Sequence, residues 1–145
     1  ACIVLVKTEW NARITDQLEM GCIAELEKPG VKKTVVITVP GAFEIPFAIK
    51  NYYRNAGKKN RADAFIALGC VIKGDTPHFE YVCQAITNGV LQLNLLLPVP
   101  TIFGVLTVNT EEQAIERIGG KHGHKGEEAA ITAMKMITFS NSSKK

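Results

Sequence analysis

The clearest chemical signal in the chain is the turn Lys-Gly-Asp-Thr-Pro-His at residues 73–78. It follows a continuous apolar run at residues 65–72, typical of a buried strand, and it opens a helix in which Thr76 can be the N-cap and Pro77 the first helical residue. Such a turn presents unpaired N–H groups and the positive end of a helix dipole, which attract an anion such as phosphate. His78 beside it can transfer protons near neutral pH. The alternative is a capped helix with an incidental surface histidine.

Residues after two other apolar runs can contact the same ligand. Trp10, the single tryptophan, can stack on a heteroaromatic ring or pack against a helix edge. In the segment Gly41, Ala42, Phe43, the small residues let the backbone approach a ligand closely. Glu44 can accept hydrogen bonds from hydroxyl groups, although a glutamate in the first turn of a helix also stabilises that helix. Both interpretations stay open for each of these positions.

Cationic and histidine residues near the C-terminus offer further contacts. Arg117 and Lys125 can each bind phosphate or another anion, or remain solvated surface charges. His122 and His124 are the one closely spaced pair of histidines. We see no carboxylate or thiol at ligand spacing beside them, so we expect loop residues and no metal site.

Composition narrows the class of protein. The 145 residues are 46% hydrophobic and 21% charged, which favours one globular domain over a disordered chain. A net charge of +3 with scattered lysines and arginines gives little support for nucleic-acid binding and none for a membrane surface. The four cysteines form no Cys-x-x-Cys motif and lie in apolar segments, as expected for reduced thiols in the cytosol. We find no transmembrane run or signal peptide pattern, and predict a cytoplasmic protein.

Strands and helices alternate along the chain. The predicted strands cover residues 2–6, 34–39, 64–72 and 101–108, and the predicted helices cover residues 11–27, 44–55, 77–96, a short segment after Thr110, and 127–138. A loop is expected at residues 119–126 and a polar tail at 140–145. This order predicts one three-layer α/β domain over residues 1–145, with a four-stranded parallel sheet covered by helices on both faces. The residues discussed above lie at the carboxyl ends of strands, where such sheets bind ligands.

Several segments, taken in order, resemble the lumazine synthases, which catalyse the penultimate step of riboflavin biosynthesis. They are Trp-Asn at residues 10–11, VPGAFEIP at 39–46, ALGCVIKGDTPHFEY at 67–81, PTIFGVLT at 100–107 and EQAIERIGGKHGHKGEEAA at 112–130. The resemblance extends from Val4 to about Ile137 and implies a flavodoxin-like fold. Each segment is only moderately specific, but their shared order and spacing make the resemblance strong.

The resemblance implies that one group of residues contacts the substrate 5-amino-6-ribitylaminouracil: Trp10, Ala42, Phe43, Glu44, Cys70, Val71, Ile72, Phe103 and Lys125. Trp10 would stack on the pyrimidine, and Glu44 would contact ribityl hydroxyls. Phe103 would come from a neighbouring subunit, and Lys125 would lie near the ribityl chain and phosphate.

A second group would bind the phosphate-bearing substrate, 3,4-dihydroxy-2-butanone 4-phosphate. The resemblance assigns Gly74, Asp75 and Thr76 to the phosphate turn, Arg117 to its completion, and His78 to proton transfer. The product would be 6,7-dimethyl-8-ribityllumazine, formed with loss of phosphate and water. Both substrates are reactive, so the protein would act chiefly through proximity and orientation, without a metal or redox cofactor.

The resemblance also implies a homo-oligomer whose active sites lie between subunits. Family members form pentamers, and some close twelve pentamers into an icosahedral shell; the 117–126 loop has no insertion relative to shell-forming members. The chain departs from the family in having Glu9 and Lys73 where arginine is common and His124 where asparagine is usual.

Two other functions compete with this interpretation. One is a flavin- or lumazine-binding shell protein that has lost catalysis, although an intact set of phosphate-turn residues, His78 and Arg117 argues against it. The other is a flavodoxin-like electron carrier. It would need a hydroxyl- and glycine-rich phosphate loop after the first strand, which residues 7–11 do not supply.

Overall fold

Four parallel strands form the central sheet of the computed structural model, which describes residues 1–144. They are β1 (Cys2–Thr8), β2 (Lys33–Val39), β3 (Ala64–Ile72) and β4 (Thr101–Val108), and they lie side by side in the order β2-β1-β3-β4. The pairing is in register to the carboxyl ends, where Thr8 faces Val39 and Ile72 faces Val108. This arrangement confirms the predicted α/β flavodoxin-like fold.

Five α-helices accompany the strands within the described residues: α1 (Ala12–Glu27), α2 (Ile45–Asn55), α3 (His78–Leu96), α4 (Glu111–Ile115) and α5 (Lys125–Ser142). Successive strand residues point to opposite faces, so Leu5 joins a core cluster with α1 and α5, whereas Val4 joins a cluster with α2 and α3. Both residues are fully buried, as is Phe65 in the second cluster. The three layers follow from this alternation.

One strand is less covered than the sequence predicts. The apolar composition of β2 suggested helices on both faces, but β2 lies at the edge of the sheet, and Val36 is 39% exposed. Val35 and Ile37 pack against the cluster that includes α2 residues, whereas Val36 points to the opposite face. The helices on that face, α1 and α5, pack instead on β3 and β4, so composition alone overestimated how far they reach.

Helices α1, α2 and α3 each begin one residue later than predicted, with α1 starting at Ala12 rather than at residue 11. Residues Ala42–Glu44 form a short 3-10 helix, so α2 begins at Ile45 and not at Glu44. Helix α3 begins at His78, with Pro77 rather than Thr76 in the cap position. The Thr76 hydroxyl accepts only a long 3.4 Å hydrogen bond from the His78 N–H.

The C-terminal region contains more regular structure than expected. The predicted loop at residues 119–126 contains a small antiparallel hairpin of β5 (Ile118–Gly120) and β6 (Gly123–His124). Helix α5 starts at Lys125 and continues through Ser142, so part of the predicted polar tail is helical. Lys145, the last residue of that tail and of the predicted domain range, lies outside the described residues.

Three of the cysteines, Cys2, Cys22 and Cys70, are buried as predicted, and Cys83 is half-buried; all four are free thiols. Within residues 1–144, no helix combines the length and hydropathy that crossing a membrane requires.

Candidate active site

A cavity of about 630 Å³ opens at the carboxyl ends of β1, β2 and β3, and we call it the strand-end cavity. It is lined by Trp10, Asn11, Gly41, Ala42, Phe43, Glu44, Cys70, Val71, Ile72, Gly74, Thr76, His78, Phe79 and Val82. Most of the residues predicted to bind substrate therefore surround one space. Asp75 is exposed in the same turn but does not line the cavity.

The segment after β1 is fixed by hydrogen bonds that continue the sheet. The Glu9 N–H donates to the Val39 carbonyl at 2.8 Å, and the Trp10 N–H donates to the Pro40 carbonyl at 3.2 Å. Because the backbone of Trp10 is held while its side chain remains 71% exposed, the indole projects over the cavity as a free flat surface. This geometry suits stacking on a ligand ring better than packing on a helix.

Asn11 connects the ends of β1 and β3. Its backbone is in the left-handed region, with φ of 60°, a conformation that asparagine tolerates better than most residues. Its side-chain Nδ2 donates a 2.7 Å hydrogen bond to the Cys70 carbonyl. Asn11 thus sets the distance between the indole of Trp10 and the strand end at Cys70.

Glu44 holds its own turn together and also lines the cavity. One carboxylate oxygen accepts a 3.0 Å hydrogen bond from the Gly41 N–H, while the Glu44 N–H donates to the Gly41 carbonyl at 3.1 Å. The side chain nevertheless stays exposed and lines the cavity, so lone pairs remain available to a ligand. A Cβ on Gly41 would lie 3.3 Å from that carboxylate and 3.5 Å from the Trp10 ring, so a glycine keeps this corner open.

The end of β3 leads directly into the turn with the strongest sequence signal. The Lys73 N–H donates to the Val108 carbonyl at 2.9 Å, which is the last link between β3 and β4. Beyond it, Gly74 and Thr76 line the cavity together with His78, the first residue of α3. The positive end of the α3 dipole therefore lies beside the cavity, next to an exposed imidazole.

Cys70 lines the cavity, but its side chain packs in the core cluster with residues of α1 and α5. Burial raises the pKa of this thiol to about 11, and the negative charge of Glu111 contributes in the same direction. At neutral pH the group is therefore protonated and behaves as a small apolar side chain.

The remaining predicted site residues lie elsewhere. A second cavity of about 330 Å³, which we call the hairpin cavity, is lined by Phe103, Val105, Leu106, Thr107, Val108, Arg117, His122, Lys125 and Glu128. It brings Phe103, Arg117 and Lys125 together but shares no lining residue with the strand-end cavity. One chain therefore separates Arg117 from the phosphate turn, as the prediction that Phe103 and Arg117 serve a neighbouring subunit requires.

Two main-chain contacts hold the cations of the hairpin cavity. Arg117 Nη1 donates to the Gln113 carbonyl at 2.7 Å, which braces the guanidinium against α4. The Lys125 N–H donates to the Arg117 carbonyl at 2.8 Å, so the two residues are tied across the base of the hairpin. His122 Nε2 lies 3.7 Å from Glu116 Oε2. Within residues 1–144, no three histidine, cysteine, aspartate or glutamate side chains are grouped to hold a metal ion.

Sequence reasoning assigned no role to several lining residues: Asn11, Phe79 and Val82 in the strand-end cavity, and His122 and Glu128 in the hairpin cavity. A signal existed for Val82, since a residue four positions after His78 shares its side of a helix. Asn11 could have been found from its place beside Trp10 at a strand end.

Comparison with known proteins agrees with this architecture. Residues 1–141 match the family model described as 6,7-dimethyl-8-ribityllumazine synthase. The chain is 49% identical to the protein of that name from Parabacteroides distasonis over 95% of this chain and 85% of the relative. It is 50% identical to the one from Bacteroides fragilis over 93% of both chains, and 47% identical to the one from Bdellovibrio bacteriovorus over 92% of this chain and 72% of the relative. The chain thus belongs to the 6,7-dimethyl-8-ribityllumazine synthase family of enzymes.

Proposed function

We propose that this enzyme condenses 5-amino-6-ribitylaminouracil with 3,4-dihydroxy-2-butanone 4-phosphate to give 6,7-dimethyl-8-ribityllumazine, phosphate and water, as the penultimate step of riboflavin biosynthesis. The observation that carries the proposal is the strand-end cavity, where an exposed indole, a carboxylate and a helix-start turn with a histidine line one space. A flat ring, a polyhydroxyl chain and a phosphate are the ligand features that these groups suit.

In this proposal the strand-end cavity binds the pyrimidine substrate. The ring stacks on Trp10, and Ala42 and Phe43 border it. Glu44 accepts hydrogen bonds from ribityl hydroxyls with the lone pairs that Gly41 does not use. Backbone groups of residues 70–72, whose position Asn11 fixes through Cys70, hold the ring and the chain in place.

The phosphate substrate binds at the start of α3. Gly74, Asp75 and Thr76 surround the phosphate, and Arg117 from a neighbouring subunit adds a guanidinium. The pyrimidine's amine attacks the ketone carbon, and loss of water gives an imine. His78 moves protons in the steps in which phosphate leaves and the second ring closes with loss of water. The helix start and Arg117 stabilise the negative charge on the departing phosphate.

The assembly in this proposal is a homo-oligomer, a pentamer or a shell of such pentamers, in which the hairpin cavity of one subunit faces the strand-end cavity of the next. Two features support it. The predicted phosphate-binding residues are divided between the cavities. In addition, the single chain exposes large apolar side chains that water disfavours, including Phe47 at 74% and both Leu95 and Leu96 at 71%.

The decisive experiment mixes purified protein with both substrates and follows lumazine absorbance above the slow uncatalysed reaction. We expect a protein-dependent rate that disappears when the dephosphorylated analogue replaces the phosphate substrate. A folded oligomer that binds riboflavin but gives no acceleration would instead identify a non-catalytic binding shell. Sedimentation of the same sample distinguishes a pentamer from a shell.

A complementation experiment tests whether sites are shared. His78→Ala damages only the strand-end cavity and Arg117→Ala only the hairpin cavity. If each site combines cavities from two subunits, co-expressing the two variants restores intact sites at about a quarter of the positions in randomly mixed oligomers. If each site is complete within one chain, no mixed oligomer contains an intact site, and activity stays at the mean of the two variants.

A further inference from the structure

His124 ends β6 and precedes α5, and its side chain bonds to the start of that helix. The ring nitrogen Nδ1 accepts hydrogen bonds from the Gly126 N–H at 3.1 Å and the Glu127 N–H at 3.2 Å. These are two of the N–H groups that lack a partner inside a helix. An imidazole that accepts at Nδ1 carries its proton on Nε2, so it serves here as a neutral N-cap.

Glycines shape the space that holds this ring. A Cβ on Gly21 of α1 would lie 2.2 Å from His124 Cε1 and 2.5 Å from Nε2. A Cβ on Gly126 would lie 2.1 Å from the Leu18 carbonyl oxygen, so α1 and α5 approach each other closely at this point. The imidazole therefore occupies a slot between the helices, where the absence of a side chain on Gly21 leaves room for it.

The slot lies next to the residues that line the hairpin cavity. Lys125 follows His124 directly, and its N–H donates to the Arg117 carbonyl at 2.8 Å. His124 itself pairs with Ile118, the neighbour of Arg117, in the hairpin. The ring of His124 thus connects this hairpin to the start of α5, beside Gly21 of α1.

We propose that His124 is a positioning residue that holds Arg117 and Lys125 at the distance needed to bind the phosphate-bearing substrate. The inference rests on the proposed function, because it concerns the same site. It also accounts for the departure from asparagine at this position: the carboxamide oxygen of asparagine is a strong N-cap acceptor, and Nδ1 of His124 does the same work.

Two substitutions distinguish the hydrogen-bond acceptor of His124 from the size of its side chain. His124→Leu keeps a large side chain but removes the acceptor, and we expect the KM for the phosphate substrate to rise roughly fivefold with little change in kcat or in the KM for the pyrimidine. His124→Asn restores an acceptor, and we expect all constants to remain within about twofold of the native protein. An equal effect of His124→Leu on both substrates, or no effect, would overturn the proposal.

Hydrogen exchange gives a readout that does not depend on catalysis. In the native oligomer the Lys125 amide reports its bond to Arg117. We expect His124→Leu to speed its exchange roughly fivefold relative to the native protein, whereas His124→Asn leaves it unchanged. If the protein fails to catalyse the condensation, this comparison still decides whether His124 sets the Arg117–Lys125 geometry. Unchanged protection of Lys125 in His124→Leu would refute the positioning role.

Gly21→Ala tests the slot from the opposite side. Alanine in the middle of a helix is ordinarily favourable relative to glycine. Here we expect the added methyl to displace the imidazole and to reproduce the KM and exchange changes of His124→Leu. In the His124→Asn background, where the ring is absent, the same alanine should have no such effect. A harmless Gly21→Ala in the native background would contradict the slot.

Discussion

The two cavities differ in how they are built and in what they offer a ligand. The strand-end cavity lies where three parallel strands end, and among the described residues no lysine or arginine lines it. The hairpin cavity lies between β4, the small hairpin and the start of α5, and it contains Arg117, Lys125 and His122. Within one chain, the cationic side chains therefore lie in a different cavity from the exposed indole and the helix start.

Neither cavity alone therefore offers both an aromatic surface for a flat ring and cationic side chains for a phosphate. The strand-end cavity has a helix start for the anion but lacks a side-chain cation, and the hairpin cavity has the cations but no comparable aromatic platform except half-buried Phe103. If the two cavities meet between subunits, as proposed above, activity depends on assembly.

The largest effect expected on the strand-end side comes from His78→Ala. We expect kcat to fall about a hundredfold without reaching the uncatalysed rate, since proton transfer is one contribution beside orientation. Single-turnover absorbance measurements provide the test, with circular dichroism to verify folding. Complete loss of activity in a folded oligomer would contradict a mainly orientational mechanism.

The burial of Cys70 at the end of β3 predicts how slowly its thiol reacts. Because burial raises the pKa of this thiol to about 11, its thiolate is scarce at pH 8, and iodoacetamide should modify it about a hundredfold more slowly than an ordinary thiol. The rate should still rise as pH increases from 8 to 10 and should level off only above that pKa. Peptide mass mapping resolves Cys70 from the other cysteines, and the urea-unfolded protein is the control. Rapid labelling at pH 8 would show that the end of β3 is open to solvent.

Arg117→Ala is the corresponding change in the hairpin cavity. Loss of a charge-assisted contact to phosphate should raise the KM for the phosphate substrate roughly thirtyfold, with a much smaller effect on the pyrimidine. Arg117→Lys keeps the charge but loses the forked geometry, so we expect an intermediate value. Steady-state kinetics with each substrate varied in turn gives the comparison. Equal increases for both substrates would remove the distinction between the cavities.

The smallest expected effect concerns Asn11, which lines the strand-end cavity and connects the ends of β1 and β3. Asn11→Gly retains the left-handed backbone but removes the bond to Cys70, and should lower the free energy of unfolding by about 1 kcal/mol. Asn11→Ala loses the bond and also strains the backbone, so it should cost about 2 kcal/mol. Urea unfolding at one fixed subunit concentration measures both, because oligomerisation shifts apparent stability. Equal values for the two variants would show that φ at this position is unimportant.

The sequence predicted the sheet well because strand and helix periodicities are local and strong. It predicted that helices cover both faces of β2, but Val36 is exposed. An apolar residue in a strand does not reveal whether a helix reaches it. The cavity at the strand ends followed from topology, since parallel strands must bring their carboxyl ends together. The role of His124 could not be predicted, because the cap depends on a contact with Gly21 a hundred residues earlier in the chain. The separation of Arg117 from the phosphate turn was expected from the family resemblance alone.

The position of the single tryptophan has a practical consequence. All indole fluorescence of this protein arises from Trp10 at the mouth of the strand-end cavity, where the ring is largely exposed to water. A ligand that stacks on it will quench that emission, and a lumazine or flavin will also accept its excitation energy. Occupancy of the site can therefore be followed by light in the unmodified protein, without attaching a label.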